Sequence, residues 1–187
     1  MNEVFDGNYG NPNEAYYANL NAYNQICVDT VRQTSGNNSA RWLLIPGWNT
    51  KRIMISAHYY SPWDFAGEES GTITQWGASA TNPSKKSSWG QEDYLNSQLQ
   101  AMYNIFVAQG YPVVIGEFGS IDKTAYDSSN NVYRTAFAKA VTAAAKKYGA
   151  VPIYWDNGYN DQHGFGLFNH TNNTVTQQGI INGNMLY

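Results

Sequence analysis

Apolar residues along this chain switch repeatedly between a helical period and short continuous runs. Between 13 and 33 they recur three and four apart, at Leu20, Tyr23, Cys27 and Val31, which predicts a helix with those side chains on one face. Gly36, Asn37 and Asn38 stop it. The stretch 41–46 predicts a short strand, and 52–58 a second one through Ile53, Met54 and Ile55. A loop rich in Gly, Ser and Thr follows over 61–90, with Trp63, Trp76 and Trp89 inside it. Helical spacing returns at 92–109, with Leu95, Leu99, Met102 and Phe106 inward and Gly110 as the stop. A third strand is expected at 112–116, and an Ala-rich helix at 132–148, closed by Gly149. A fourth strand at 151–155 and a short terminal helix at 177–185 complete the pattern.

Alternating helices and strands predict an α/β fold with a parallel sheet. No internal repeat or linker divides the chain, so 1–187 reads as a single domain. Four strands are too few to close a barrel of eight, which usually takes about 250 residues. Only 47–51 separate the first two strands, whereas a parallel pair needs a crossover of about a dozen residues. Either these strands are not adjacent parallel neighbours, or a stretch is absent between them.

Composition narrows the partners. Charged residues make up 13% and aromatic residues 15%, including 15 Tyr and 6 Trp, which suits a surface that stacks on neutral sugars as well as an ordinary core. A net charge of −3 argues against nucleic acid, which needs a basic stripe. No run is long and apolar enough for a membrane span, and no signal peptide is visible. The single cysteine, Cys27, falls on the apolar stripe of the first helix and reads as a buried structural thiol.

The candidate chemistry lies at strand ends. Val113, Val114 and Ile115 lead into Gly116, Glu117, Phe118 and Gly119, an apolar run that delivers one carboxylate between glycines. Parallel α/β folds place their sites at such ends, although a plain surface glutamate fits the same segment. His58 and Tyr60 end the second strand on one side, with Tyr59 on the other, so the pair could orient a neighbouring carboxylate and favour its charged form. Trp155, Asp156, Asn157 and Gly158 end the fourth strand, and Trp155 serves equally as a flat sugar platform or as a core residue. Asn2 and Glu3 put a second carboxylate beside an amide at the start of the chain, with no strand of their own. Two carboxylates across a cleft are what glycosidic cleavage requires. The three histidines lack zinc spacing, the acids of 122–127 lack the full calcium-loop pattern, and no phosphate loop or serine elbow occurs.

Together these segments resemble glycoside hydrolase family five, in the endoglucanase branch of cellulases and xyloglucanases. The likeness rests on Asn2 with Glu3; Val31 to Thr34 with Gly36, Asn37 and Asn38; Arg41 to Gly47; His58 to Pro62; Gly116 to Gly119; Arg134; and Trp155 to Gly158. It implies an eight-stranded (β/α) barrel of which this chain is roughly the C-terminal four units. It also implies retaining hydrolysis of a β-1,4-glucan, with Glu117 as nucleophile, Glu3 as acid/base, Asn2 on the sugar 2-hydroxyl, His58 and Tyr60 beside the nucleophile, and Trp155 as sugar platform. No cofactor is implied, and a secreted parent is. The family's second-strand arginine and third-strand histidine have no counterpart here, nor does a loop between the fifth and sixth strands. The competing expectation is a catalytically incompetent half-barrel that binds glucan through Trp63, Trp76, Trp89 and Trp155, associates with itself, or pairs with a complementary half.

Overall fold

The computed structural model describes residues 14–41, 43–45 and 53–185. The chain divides into two compact units, Met1–Ser56 and Ala57–Tyr187.

In the first unit, helix α1 spans Glu14–Gln33 and a 3-10 turn spans Gly36–Ser39. The Arg32 guanidinium in the last turn of α1 donates to the carbonyls of Asn38 and Arg41, satisfying oxygens just beyond the helix end. Asn24 and Val28 are buried on α1, while Tyr23, Ile26 and Cys27 are exposed. The inward face is therefore rotated by one residue from the apolar stripe, and Cys27 is not the buried thiol its spacing suggests. The short strands β1, Leu43–Ile45, and β2, Ile53–Tyr59, pair in parallel with Leu43 opposite Ile53. They are adjacent parallel neighbours despite the short stretch that joins them.

The second unit continues from Ala57. Beside the end of β2 lies β3, Val113–Phe118, and beside β3 lies β4, Ala150–Tyr154, parallel to it. Val113, Val114, Ile115 and Phe118 are buried, as expected of a strand covered on both faces. Helix α3, Glu92–Ile105, begins with Glu92 and Asp93, whose charges suit its N-terminus, and buries Leu95 and Leu99. It ends before the expected 109: the backbone turns at Phe106, and a 3-10 turn over Val107–Gln109 runs into Gly110 at φ 85°, in the left-handed region that favours glycine. Helix α4, Asn130–Lys147, buries Tyr133, Arg134, Phe137, Ala138, Val141, Ala144 and Ala145, a stripe at three- and four-residue spacing that packs on β3 and β4.

Phe137 is the hub of this core. Its ring lies 6.2 Å from Tyr59, 5.6 Å from Phe65 and 5.2 Å from Trp76. Helix α5, Gln178–Met185, packs on α4 with Ile180 buried and Thr142 Oγ1 donating to Asn184 Oδ1. Two features within long loops lie outside the sequence expectation: a four-residue helix α2, Trp63–Ala66, and a small antiparallel hairpin of β5, Phe168–Asn169, and β6, Thr174–Val175.

Candidate active site

Glu117 sits where β3 loses its regular ladder with β4. Ile115 pairs with Pro152, but the next pair is Phe118 with Tyr154, so Gly116 and Glu117 together face the single residue Ile153. This is a β-bulge, a device that bends a strand and re-aims one side chain. Pro152 contributes to it physically, because it brings no N–H to the ladder at that point. Past the bulge, Trp155 N donates to Phe118 O at 2.8 Å and restores the pairing.

The Glu117 carboxylate is held by the end of β2. The Tyr60 hydroxyl donates to Glu117 Oε2 at 3.1 Å, and His58 Nδ1 lies 3.3 Å from the same oxygen. Side-chain exposure at Glu117 is 16%, enough for a substrate to reach it and low enough for both contacts to be only partly screened. Tyr59, between them, turns the other way into the Phe137 cluster, as strand alternation requires. Its buried hydroxyl is pushed up well beyond the ordinary tyrosine range, by burial first and by the nearby Tyr94 second. Tyr60 is itself fixed edge-on between Trp63 at 6.1 Å and Phe165 at 5.9 Å.

Trp155 follows β4 and is 42% exposed, so it belongs to the surface and not to the core. The chain beyond it is ordered by two short side chains. Asp156 accepts from Gly158 N and Leu167 N, and Asn157 accepts from Tyr159 N and Phe165 N. These bonds bring Phe165 beside Gly119, where an added Cβ would stand 3.1 Å from the Phe165 ring and 3.2 Å from that of Tyr154.

The tryptophans of the long loop part company. Trp76 is buried and donates its indole N–H to Gly90 O at 2.9 Å, so it belongs to the core and not to a sugar surface. Trp63 and Trp89 are exposed. The acids of 122–127 serve structure. Asp122 caps its own turn through Thr124 and pairs with the buried Arg134 at 3.1 Å. Asp127 accepts from Ser129, Thr74, Gln75 and Lys85, fastening the long loop to the start of α4. Burial alone would raise the Asp127 pKa, but hydrogen bonds from Ser129, Gln75 and Thr74 more than reverse this and hold it well below the usual carboxylate range. The buried Lys123 ammonium donates to Asp64 O at 2.6 Å and Ile73 O at 2.9 Å. Burial lowers its pKa to about 8, against the opposing pull of Asp64 and Glu68.

Of the residues singled out from sequence, Glu117, His58 and Tyr60 are brought together and Trp155 is placed at the end of the neighbouring strand. Asn2 and Glu3 lie outside the described residues. Sequence reasoning missed Phe165 and the supporting role of Asp127. The Asp-x-Ser spacing of Asp127 with Ser129 was the available sign of the latter, since such acids commonly bond the backbone two residues on.

A family model described as cellulase (glycosyl hydrolase family 5) matches residues 1–161. Endoglucanase A of Paenibacillus barcinonensis is 68% identical over 212 residues, covering 99% of this chain and 53% of that protein. That alignment is longer than the chain, so this relative carries residues the chain lacks. A family 5 xyloglucanase from Paenibacillus pabuli, solved in complex with ligand, superposes with a TM-score of 0.95 at 70% identity, covering 100% of this chain and 59% of that one. A xyloglucan-specific endo-beta-1,4-glucanase of Bacteroides ovatus is 31% identical over 189 residues, covering 89% of this chain and 36% of that protein. The chain thus spans about half the length of the first two relatives and about a third of the third.

Proposed function

Because the chain belongs to glycoside hydrolase family five, and is part of that family's (β/α)8 barrel, we propose that it carries the nucleophile half of a retaining endo-β-1,4-glucanase site. The observation that carries this reading is the Glu117 carboxylate, aimed by a bulge and held by Tyr60 and His58 at one oxygen. A carboxylate oriented in this way attacks the anomeric carbon and forms a glycosyl-enzyme. Glu3, with Asn2 beside it, supplies the acid that protonates the leaving oxygen and then the base that activates water. Retention requires its carboxyl about 5 Å from that of Glu117. Trp155 stacks the sugar whose anomeric carbon is attacked. The substrate class is a β-1,4-glucan, cellulose or xyloglucan, and the setting is extracellular polysaccharide degradation. The endoglucanase and xyloglucanase activities of the Paenibacillus and Bacteroides relatives support this class.

The isolated 187-residue chain works slowly in this reading, because the positions flanking Glu117 in the family are drawn from the whole barrel and small misplacements cost about a hundredfold in rate. The test is release of reducing ends from carboxymethylcellulose and xyloglucan, with cellohexaose binding measured in parallel. Glu117→Gln is expected to abolish whatever turnover the chain shows, by about a thousandfold or more, and to leave binding intact. Turnover that survives this substitution would remove Glu117 as nucleophile. Tight glucan binding with no turnover in either form would favour a sugar-binding half-barrel instead, a reading that the exposed Trp63, Trp89 and Trp155 also suit.

A further inference from the structure

The dipeptide Asn-Gly stands at 157–158, in the loop that follows Trp155, and again at 182–183, inside helix α5. Glycine has no side chain to shield its amide nitrogen, which can therefore attack the side-chain amide carbon of the asparagine before it. The two copies share a sequence and differ in how the fold presents the reacting atoms.

At 157–158 each reacting group is held by hydrogen bonds. Gly158 N, the attacking atom, donates to Asp156 Oδ1 at 2.7 Å. Asn157 Oδ1, on the carbon under attack, accepts from Tyr159 N at 3.1 Å and from Phe165 N at 3.2 Å. The bond from Tyr159 folds the Asn157 side chain over its own following peptide, closing a ring that contains both Asn157 Cγ and Gly158 N. The two donors are fixed beforehand, because Gly166 N donates to Tyr159 O at 2.8 Å and Asp122 N to Gly164 O at 2.9 Å. Gly158 takes φ 73°, in the left-handed region that glycine adopts without strain, and both residues are exposed to water. A carboxylate on the nucleophile's proton and two N–H groups on the developing oxyanion are what acyl transfer uses. At 182–183 the helix sets the side chain differently, leaning it towards the preceding turn. There Asn182 Oδ1 accepts from Gln178 Nε2 at 2.8 Å, one turn back, and Gly183 is buried.

We propose that Asn157 is a self-modifying site that converts to isoaspartate and aspartate, with water as the only co-reactant. Gly158 N bonds to Asn157 Cγ while its proton passes to Asp156 Oδ1 and on to the side-chain nitrogen, which leaves as ammonia. Water then opens the succinimide ring at either carbonyl. One opening gives aspartate, and the other gives isoaspartate with the main chain routed through Cβ and Cγ. The sum is one water consumed and one ammonia released. Isoaspartate lengthens the main-chain path of the turn that sets Phe165 beside Gly119, and it adds a carboxylate close to Trp155. The proposal does not depend on the glucan-cleaving reading of Glu117.

The test follows the 187-residue chain near pH 7, folded in salt and unfolded in guanidinium chloride of the same ionic strength, by mass spectrometry of its peptides. Conversion adds about 1 Da, as an amide NH2 becomes OH, and fragmentation separates isoaspartate from aspartate. Asn157 is expected to convert about tenfold faster in the folded chain than in denaturant, and Asn182 more slowly. Asp156→Asn keeps a side-chain acceptor but removes the charge, and is expected to bring the folded rate at Asn157 down to the denatured value. An Asn157 rate no faster in the folded chain than in denaturant would overturn the proposal, the hydrogen bonds then protecting the amide. An unchanged rate in Asp156→Asn would remove Asp156 as the proton acceptor. Comparison of the folded and unfolded unsubstituted chain decides the matter even if Asp156→Asn fails to fold.

Discussion

At the scale of single residues, the site turns on how one oxygen of Glu117 is held. Tyr60 donates to Oε2 at 3.1 Å and His58 Nδ1 stands 3.3 Å from it, so both act on the same atom and both fix its direction. A hydrogen bond to a charged acceptor contributes about 1.5–3 kcal/mol, more than a neutral one. Tyr60→Phe keeps the ring that meets Trp63 and Phe165 and deletes only the hydroxyl. It is expected to lower kcat by about ten- to a hundredfold with cellohexaose affinity within about twofold, since in the proposed reaction the bond acts on the attacking carboxylate and not on bound sugar. Steady-state rates and calorimetric titration of the same preparation separate the two. An affinity loss as large as the rate loss would make Tyr60 a sugar contact instead.

At the scale of elements, tertiary packing decides what the period of apolar residues leaves open. The run of Val113, Val114 and Ile115 announced β3 because a strand covered on both faces has no polar alternation to disguise it. The bulge that aims Glu117 was not legible, since it depends on Pro152 arriving opposite Ile115 from a strand more than thirty residues on. Helix α1 showed its existence but not its face: Asn24 is buried and Tyr23 is exposed, a choice made by packing against the period of apolar residues. Trp63 and Trp76 were indistinguishable by composition, and the long-range ring contact with Phe137 and the indole bond to Gly90 O hold Trp76 inward. The long loop that carries both is held at Asp127, which joins Thr74, Gln75 and Lys85 to the turn before α4. Asp127→Ala therefore leaves several partly buried donors unpaired and is expected to destabilise the chain by about 2–4 kcal/mol, read from urea unfolding near pH 7. The pH dependence has a definite sign. The folded-state pKa of Asp127 is depressed, so its contribution is complete above the unfolded carboxylate value of about 3.9 and is lost as pH falls below that towards the folded value. The deficit of the variant should be constant from about pH 5 to 7 and narrow only at lower pH.

At the scale of the whole molecule, β4 carries the consequence of spanning about half of the longer relatives. Val151 and Ile153 are 58% and 50% exposed, on the face of the strand opposite the one that turns Tyr154 towards Phe118. In an eight-stranded barrel such alternate positions are covered by the interior layers of the closed sheet, and closure leaves no strand edge open. Exposed apolar residues at alternate positions of one strand make self-association through this face a prediction to test. The 187-residue chain alone is therefore expected to show a light-scattering mass that rises above 20.9 kDa with concentration. Ile153→Lys should bring the mass back towards the monomer, because a charge at a half-exposed position costs the folded monomer little and the buried interface much. Val151→Lys should act in the same direction. A monomer at every concentration, or an oligomer indifferent to both substitutions, would show that this face is not where the chain associates.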